Sequence, residues 1–380
     1  MLRRFRTWSQ ALRIEPKNPR LLNTRGYLHL VRGDLDAALA DFNVAVGIDL
    51  KYPQPYNNRG LVWISRGEPA KAVADFDSAL RIDPDYVDAL NNRGYALTQL
   101  KKYGEAIASL TRATELDQNY VNAWNNRGLA YHFDGKFEQA ASDFTRSIEL
   151  EPENRKYFIH RAESLAELGK ERESQADMAH ALWLDRLAPV NARLKLNPQD
   201  ADALLQRARL RLSAEQYDAA LADVAAVLSL VPASSTAAAD AYVTKAQILV
   251  AQKDYAAAVS AATVAIEQGQ QVSAASVRGD AYFLMQKYEL AISDYQAARR
   301  IDAQVQQAFN MHAEELEKSG QIEQAGFFRE QAEALNPEAA NAAGEQEART
   351  ASPFPTDATS TDDGTEPAAA DAPKTASNDE

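Results

Sequence analysis

Asparagine and arginine recur at a fixed interval in the first half of the chain. The stretch Asn-Asn-Arg-Gly occurs at residues 57–60, 91–94 and 125–128, so its starts are 34 residues apart. A carboxamide offers both a donor and an acceptor, and a row of asparagines can therefore bind the backbone of an extended peptide. A row of guanidinium groups can bind anions, or it can pair with carboxylates inside the fold. Which role applies depends on the elements that carry these residues.

The interval belongs to a repeat that covers most of the 380 residues. With the glycine of the stretch at position 8, units begin at Pro19, Pro53, Val87, Val121, Arg155, Ala201, Ala239, Val272 and Gln306. Positions 4, 7, 8 and 11 lie on one helical face, and positions 20, 24 and 27 lie on another. Glycines such as Gly33 mark a turn between the two helices, and prolines such as Pro152 end the second. Each unit is therefore predicted to be a helical hairpin.

The unit at residues 121–154 carries Trp124, Gly128 and Tyr131 in its first helix, then Ala140, Phe144 and Pro152. This pattern resembles the tetratricopeptide repeat, with Arg127 departing from the usual leucine. The resemblance implies an all-α solenoid of stacked hairpins, wound as a right-handed superhelix with a concave inner face.

The register divides the chain into five segments. Residues 1–18 fit the second helix of a unit that lacks its first helix, so the natural chain either begins with this half-repeat or begins upstream. A regular array of five units is predicted at 19–187, a joint at 188–200 and a degenerate array of four units at 201–338. Residues 339–380 are expected to be the end of a helix followed by a disordered acidic tail, because from Glu345 onward there are nine carboxylates and two basic residues.

Position 7 is mostly arginine, and position 23, on the antiparallel second helix, is mostly aspartate. Since the two positions lie near each other across the hairpin, we expect a partly buried ion pair in six units. The predicted pairs are Arg25 with Asp41, Arg59 with Asp75, Arg127 with Asp143, Arg161 with Asp177, Arg207 with Asp223, and Arg278 with Asp294. Arg93 lacks the acid and faces Ser109. The alternative is a row of arginines that binds an anionic ligand.

In tetratricopeptide repeats, positions 2, 5, 9 and 12 of the first helix line the concave groove, which implies a groove of apolar and aromatic side chains with a row of amides. The residues assigned to it are Asn23, Tyr27, Asn57, Asn58, Leu61, Asn91, Asn92, Tyr95, Asn125, Asn126, Leu129 and His132. This row resembles the asparagine ladders of armadillo-type import receptors and O-GlcNAc transferases, and it implies binding to a peptide backbone. The alternative is that the asparagines only cap or pack locally.

Composition and the absence of certain motifs argue against several classes of function. A net charge of −13 argues against non-specific nucleic-acid binding. No apolar run is long enough to predict a membrane-spanning helix. The chain has no cysteine and no phosphate-binding or catalytic motif, so we expect neither enzymatic activity nor a metal or other cofactor. The compartment stays open: the chain as written slightly favours the cytoplasm, whereas an upstream signal sequence would indicate the periplasm or the cell envelope.

The predicted function is a non-enzymatic adaptor that binds an extended peptide or a partner helix in the groove of the first array. The alternative is an assembly protein, for example an envelope adaptor, that binds folded proteins or another copy of itself through its outer faces and edges.

Overall fold

The computed structural model describes residues 12–335, which form an all-helical array of hairpins. After a helical stretch at 12–14, the described residues contain nine hairpins, or repeats, each with an odd-numbered first helix and an even-numbered second helix. The helices are α1 (Pro19–Val31) and α2 (Leu35–Ile48); α3 (Pro53–Ser65) and α4 (Pro69–Ile82); α5 (Val87–Gln99) and α6 (Tyr103–Leu116); α7 (Val121–Phe133) and α8 (Phe137–Leu150); α9 (Arg155–Glu167) and α10 (Glu171–Leu196); α11 (Ala201–Ser213) and α12 (Tyr217–Leu230); α13 (Thr236–Ala251) and α14 (Tyr255–Glu267); α15 (Gln271–Leu284) and α16 (Tyr288–Ala297); α17 (Ala303–Lys318) and α18 (Ile322–Ala334).

Local signals explain where these helices begin and turn. The side chain of Asn18 accepts hydrogen bonds from the first free N–H groups of α1, and Pro19 supplies a first residue that needs no bond. At position 15 the backbone between the two helices is left-handed. Glycine occupies this position in four of the first five repeats, whereas Lys101 holds it in repeat 3 with φ of 59°. A side chain with a Cβ costs about 1–2 kcal/mol in this conformation.

The glycine at position 8 makes room for a ring on the second helix. A Cβ at Gly60 would lie 2.5 Å from the ring of Phe76, and one at Gly128 would lie 2.6 Å from the ring of Phe144. Both rings are fully buried. The glycine of Asn-Asn-Arg-Gly therefore serves packing within the hairpin.

Each hairpin completes its core on the next one. Ala72 and Phe76 of repeat 2 pack against Ala96 of repeat 3, and Ala106 and Leu110 of repeat 3 pack against Ala130 of repeat 4. Since no single hairpin buries both of its apolar faces, the repeats stabilise one another as neighbours.

The segment predicted as a joint at 188–200 is largely helical. Residues 188–196 continue α10, which runs from Glu171 to Leu196 with Pro189 inside it. Buried Leu187, Val190 and Leu194 form an inward face of this extension. The twelve additional residues therefore lengthen a helix instead of forming a loop, because the apolar spacing of 187, 190 and 194 is itself helical.

The chain divides into two compact units, Met1–Thr244 and Lys245–Glu380, and the division falls within α13. Most of the predicted half-repeat at 1–18, the end of the second array and the predicted tail at 339–380 lie outside the described residues. Of the half-repeat, Leu12 is described and packs against Leu22 and Ala45.

Candidate functional site on the first helices

The asparagines of adjacent first helices bind one another. The Nδ2 groups of Asn58, Asn92 and Asn126 donate to the Oδ1 atoms of Asn23, Asn57 and Asn91, at 2.9, 3.0 and 2.9 Å. Within a helix, Asn57 donates to Asn58 and Asn91 donates to Asn92, at 3.4 and 3.2 Å. We call this set the amide ladder: Asn126, Asn91, Asn92, Asn57, Asn58 and Asn23. All of its bonds run in one direction across four repeats.

The ladder occupies groups that the sequence suggested for a ligand. Asn57 and Asn91 are buried, with 4% and 5% of their surface exposed, and each both donates and accepts within the ladder. Asn126 lies at the donor end and is only partly buried, and no hydrogen bond is recorded to its Oδ1 among residues 12–335. Binding of a peptide by the other amides stays a prediction, and it would require them to share or exchange these bonds.

A histidine continues the contact where the asparagines stop. His160, at position 6 of repeat 5, donates from Nδ1 to Asn125 Oδ1 at 2.9 Å. Burial lowers the pKa of His160 to about 4, so the ring is neutral at physiological pH. Asn125 and His160 thus join repeats 4 and 5 in the same manner as the amide ladder joins repeats 1 to 4.

The structure places each predicted arginine against its aspartate in a bidentate contact. Arg127 lies 2.7 and 2.8 Å from the two carboxylate oxygens of Asp143, and Arg59 lies 2.8 and 2.6 Å from those of Asp75. The same geometry holds for Arg25 with Asp41, Arg161 with Asp177, Arg207 with Asp223, and Arg278 with Asp294. Both guanidinium and carboxylate are thereby occupied inside the hairpin.

Five of these six arginines have a third partner that the sequence did not predict. The guanidinium also reaches back to position 25 of the preceding second helix, as Arg161 does to Thr145 at 3.0 Å. The same position contacts the guanidinium where Arg59 meets Asn43, Arg127 meets Thr111 and Arg278 meets Thr263. Arg207 instead reaches Asn191, in the extended part of α10. The signal was a hydrogen-bonding side chain 15 or 16 residues before each of these five arginines. Each of these five arginines therefore links two neighbouring second helices.

Arg93 obtains its carboxylate from this third position. Its Nε donates to Asp77 at 2.7 Å, and its Nη1 donates to Ser109 at 2.6 Å. The acid has moved from the arginine's own hairpin to the preceding one, so the cation that lacks an aspartate at position 23 is still paired.

Burial sets the electrostatics of the pair in repeat 4. Asp143 is 4% exposed, and burial raises the pKa of its carboxyl group despite the two hydrogen bonds from Arg127. The fold therefore removes the carboxylate of this pair from water. Without Arg127, the buried negative charge would have no partner and would destabilise the protein.

A cleft opens between repeats 3 and 4, beside the donor end of the amide ladder. Its volume is about 550 Å³. The rings of Tyr103 and Phe133 stack with centroids 6.4 Å apart, and Phe133 is 57% exposed. The lining residues are Tyr95, Thr98, Gln99, Lys101, Tyr103, Asn126, Leu129 and Phe133. The structure thus brings together three of the predicted groove residues, namely Tyr95, Asn126 and Leu129.

The remaining predicted groove residues have other surroundings. Tyr27 packs against the core of repeats 1 and 2, and Leu61 packs against that of repeats 2 and 3. His132 lies with Nδ1 2.9 Å from Ser164 Oγ. This contact is not arranged for nucleophilic catalysis, because Ser164 is fully buried and its hydroxyl donates to the carbonyl of His160.

Residues 12–335 show neither a metal-binding cluster nor a membrane-spanning helix. No group of three or more histidine, aspartate or glutamate side chains is placed to hold a metal ion in this part of the chain. None of its helices is long and apolar enough to cross a membrane.

Several solved structures are similar to parts of the chain. MamA from Desulfovibrio magneticus RS-1, from residue 41 to its end, is 23% identical over 44% of this chain and 95% of that one, with a TM-score of 0.42. A structure from the functional characterisation of Pseudomonas aeruginosa PilF is 23% identical over 56% and 92%, with a TM-score of 0.41. YrrB, described as a TPR protein with an unusual peptide-binding site, is 21% identical over 47% and 91%, with a TM-score of 0.41.

No curated protein shows significant sequence similarity to the chain. Family models do match it: a model described as "TPR repeat" matches residues 64–101 and 94–133, and two described as "Tetratricopeptide repeat" match residues 6–53 and 121–154. The matched segments fall on the hairpins of repeats 1 to 4, where position 8 packs against position 24 and the asparagines join one first helix to the next. With this register and these matches, the chain is a tetratricopeptide-repeat protein.

Proposed function

We propose that the chain is a non-enzymatic adaptor whose first five repeats bind an extended segment of another protein along their first helices. Tetratricopeptide repeats are typically non-catalytic interaction modules. The observation that carries the proposal is the aromatic cleft between repeats 3 and 4, which lies among the predicted groove residues.

The chemistry of the cleft suits a protruding apolar side chain. Its volume of about 550 Å³ lies in the range of ligand pockets, about 300–1,000 Å³. Tyr103 and Phe133 line the cleft with stacked rings, and aromatic residues dominate the binding energy of protein interfaces. Leaving Phe133 more than half exposed costs the free chain hydrophobic stabilisation that a bound side chain would recover.

The amides play two parts in this proposal. Asn126 lies at the cleft with its Oδ1 free to accept a backbone N–H from the bound segment. The other members of the amide ladder bind one another and hold the first helices in a fixed spacing. The cleft therefore supplies most of the contacts with the partner segment. The rest of the ladder contributes mainly by fixing the spacing of the first helices.

The test uses random peptides of about ten residues, which span about 30 Å when extended, displayed on phage and selected on the native chain. Phe133→Ala should weaken binding of the selected peptides at least about fivefold, because truncating an interface aromatic costs more than about 1 kcal/mol. Fluorescence anisotropy measures the affinity, and circular dichroism checks that the fold is retained.

Phe327→Ala is the matched control, since Phe327 is 56% exposed and lies outside the first five repeats. It should leave the affinity unchanged. Equal affinities of native and Phe133→Ala chains, or failure to select any peptide, would contradict the proposed function.

A further inference from the structure

Lys101 differs in residue type from the other turn residues of the first five repeats, which are glycines. The equivalent residues Gly33, Gly67, Gly135 and Gly169 have φ between 71° and 82°, and nothing within 4 Å would meet a side chain there. Lys101 adopts the same left-handed backbone with φ of 59°, although a glycine would do so without strain. Lysine therefore occupies a position at which the backbone conformation favours glycine.

Strain at this turn does not by itself indicate a function. Glu215, Lys253 and Gln286 occupy the equivalent position of later repeats with φ between 58° and 65°. Two further observations distinguish Lys101. It lines the aromatic cleft, and its ammonium takes part in no recorded ion pair among residues 12–335, whereas the adjacent Lys102 lies 3.4 Å from Glu105.

The formal charge that lines the cleft is positive. Lys101 carries the only formal charge among the eight residues that line it, in a chain whose net charge is −13. A net negative charge repels an acidic ligand on average. Over distances beyond about 8 Å that repulsion is screened at physiological salt, so the nearest charge decides local recognition.

We propose that the cleft recognises an aromatic or large aliphatic side chain that is followed or preceded closely by a carboxylate, with the Lys101 ammonium pairing with that carboxylate. The inference rests on the proposed function, because it names the chemistry of the segment bound there. The apolar side chain supplies most of the affinity, and the ion pair selects among apolar segments, as charges at the rim of an interface do.

The experiment compares peptides selected on the native chain with peptides selected on Lys101→Gly. Native selection should enrich Asp or Glu within about two residues of the apolar anchor, and Lys101→Gly should remove that enrichment. For a selected acidic peptide, Lys101→Gly should weaken binding about threefold to fivefold, which is the upper range for an exposed ion pair. Replacing the peptide's Asp by Asn should have the same effect on the native chain and none on the variant.

The variant keeps its fold by design, because glycine suits the left-handed turn better than lysine does. Its melting temperature should equal or exceed that of the native chain. Lys253→Gly makes the same backbone change outside the first five repeats and should leave peptide binding unchanged.

The possible results separate the two proposals. Selected peptides without acidic enrichment, or equal binding of acidic peptides by native and Lys101→Gly chains, would overturn the role of Lys101 while Phe133 dependence upholds the adaptor. Binding that is insensitive to Phe133→Ala would overturn the adaptor site, and with it this inference.

Discussion

At Gly128 the two helices of repeat 4 lie so close that a single methyl group would meet the buried ring of Phe144. Gly128→Ala should therefore destabilise the protein by about 1–3 kcal/mol, as over-packing does in a dense core. Chemical denaturation followed by circular dichroism measures the change.

Gly47→Ala is the matched control for this substitution. Gly47 also lies in a helix, but it is exposed and nothing lies within 4 Å of the added carbon. It should stabilise the protein by about 0.5–1 kcal/mol, because alanine loses less backbone entropy than glycine. Equal effects of the two substitutions would show that position 8 needs no space.

His160 should make stability depend on pH. Its folded pKa of about 4 is below the ordinary value of 6.5, so the unfolded chain binds the proton more readily. The contribution is fully present above about pH 6.5 and is lost as the pH falls toward 4, amounting to about 3 kcal/mol.

His160→Asn supplies the residue that position 6 carries in repeats 2 to 4 and removes the titration. We expect the native chain to lose more free energy of unfolding between pH 6.5 and pH 4 than this variant does. Denaturant titrations at several pH values measure the slopes, and parallel curves would mean that His160 is not protonated on unfolding.

At the scale of the helices, the arginine–aspartate pairs join elements that their own apolar faces already bring together. Asp143→Ala should destabilise the protein by about 3 kcal/mol, since it leaves Arg127 poorly solvated and without its carboxylate. Arg127→Met combined with Asp143→Leu should be close to neutral, because apolar groups replace a pair whose burial is costly.

Urea denaturation of the two variants and the native chain measures the difference. Equal losses from the single and the double substitution would mean that the pair itself supplies the stability. Peptide affinity should be retained in the double variant, since both groups are already occupied within the fold and the arginine row is not free for an anionic ligand.

The helices also show where periodicity predicts well and where it does not. The first helices of repeats 1 to 6 begin at Pro19, Pro53, Val87, Val121, Arg155 and Ala201, which are the predicted starts. At α10 the period breaks, and the insertion could equally have formed a loop. Its apolar face and the bond from Trp183 Nε1 to the carbonyl of Leu210 at 2.7 Å attach repeat 6 to a longer helix instead.

At the scale of the whole molecule, exposed apolar side chains bear on whether copies of the chain associate. Met178, Leu182 and Leu196 are exposed apolar side chains on α10, and they are the observation that favours the assembly alternative. A stable dimer needs about 800 Å² of buried surface on each partner, which three scattered side chains do not supply. We therefore expect sedimentation at the mass of one chain.

Sedimentation velocity over a range of protein concentrations makes this measurement. A concentration-dependent dimer that disappears in Leu182→Glu would instead favour assembly through the outer face, and the peptide cleft would then be a second surface of an oligomer.

The sequence alone determined the repeat, its register, the glycine at position 8 and the arginine–aspartate partners. These features follow from contacts inside one hairpin, where two antiparallel helices of known length bring fixed positions together. The tertiary structure decided what lies between hairpins. The bond from Asn92 to Asn57, the third partner of five of the arginines and the cleft beside Phe133 depend on how one hairpin is rotated on the next. That rotation results from the packing of many side chains at once, so no single spacing in the sequence encodes it.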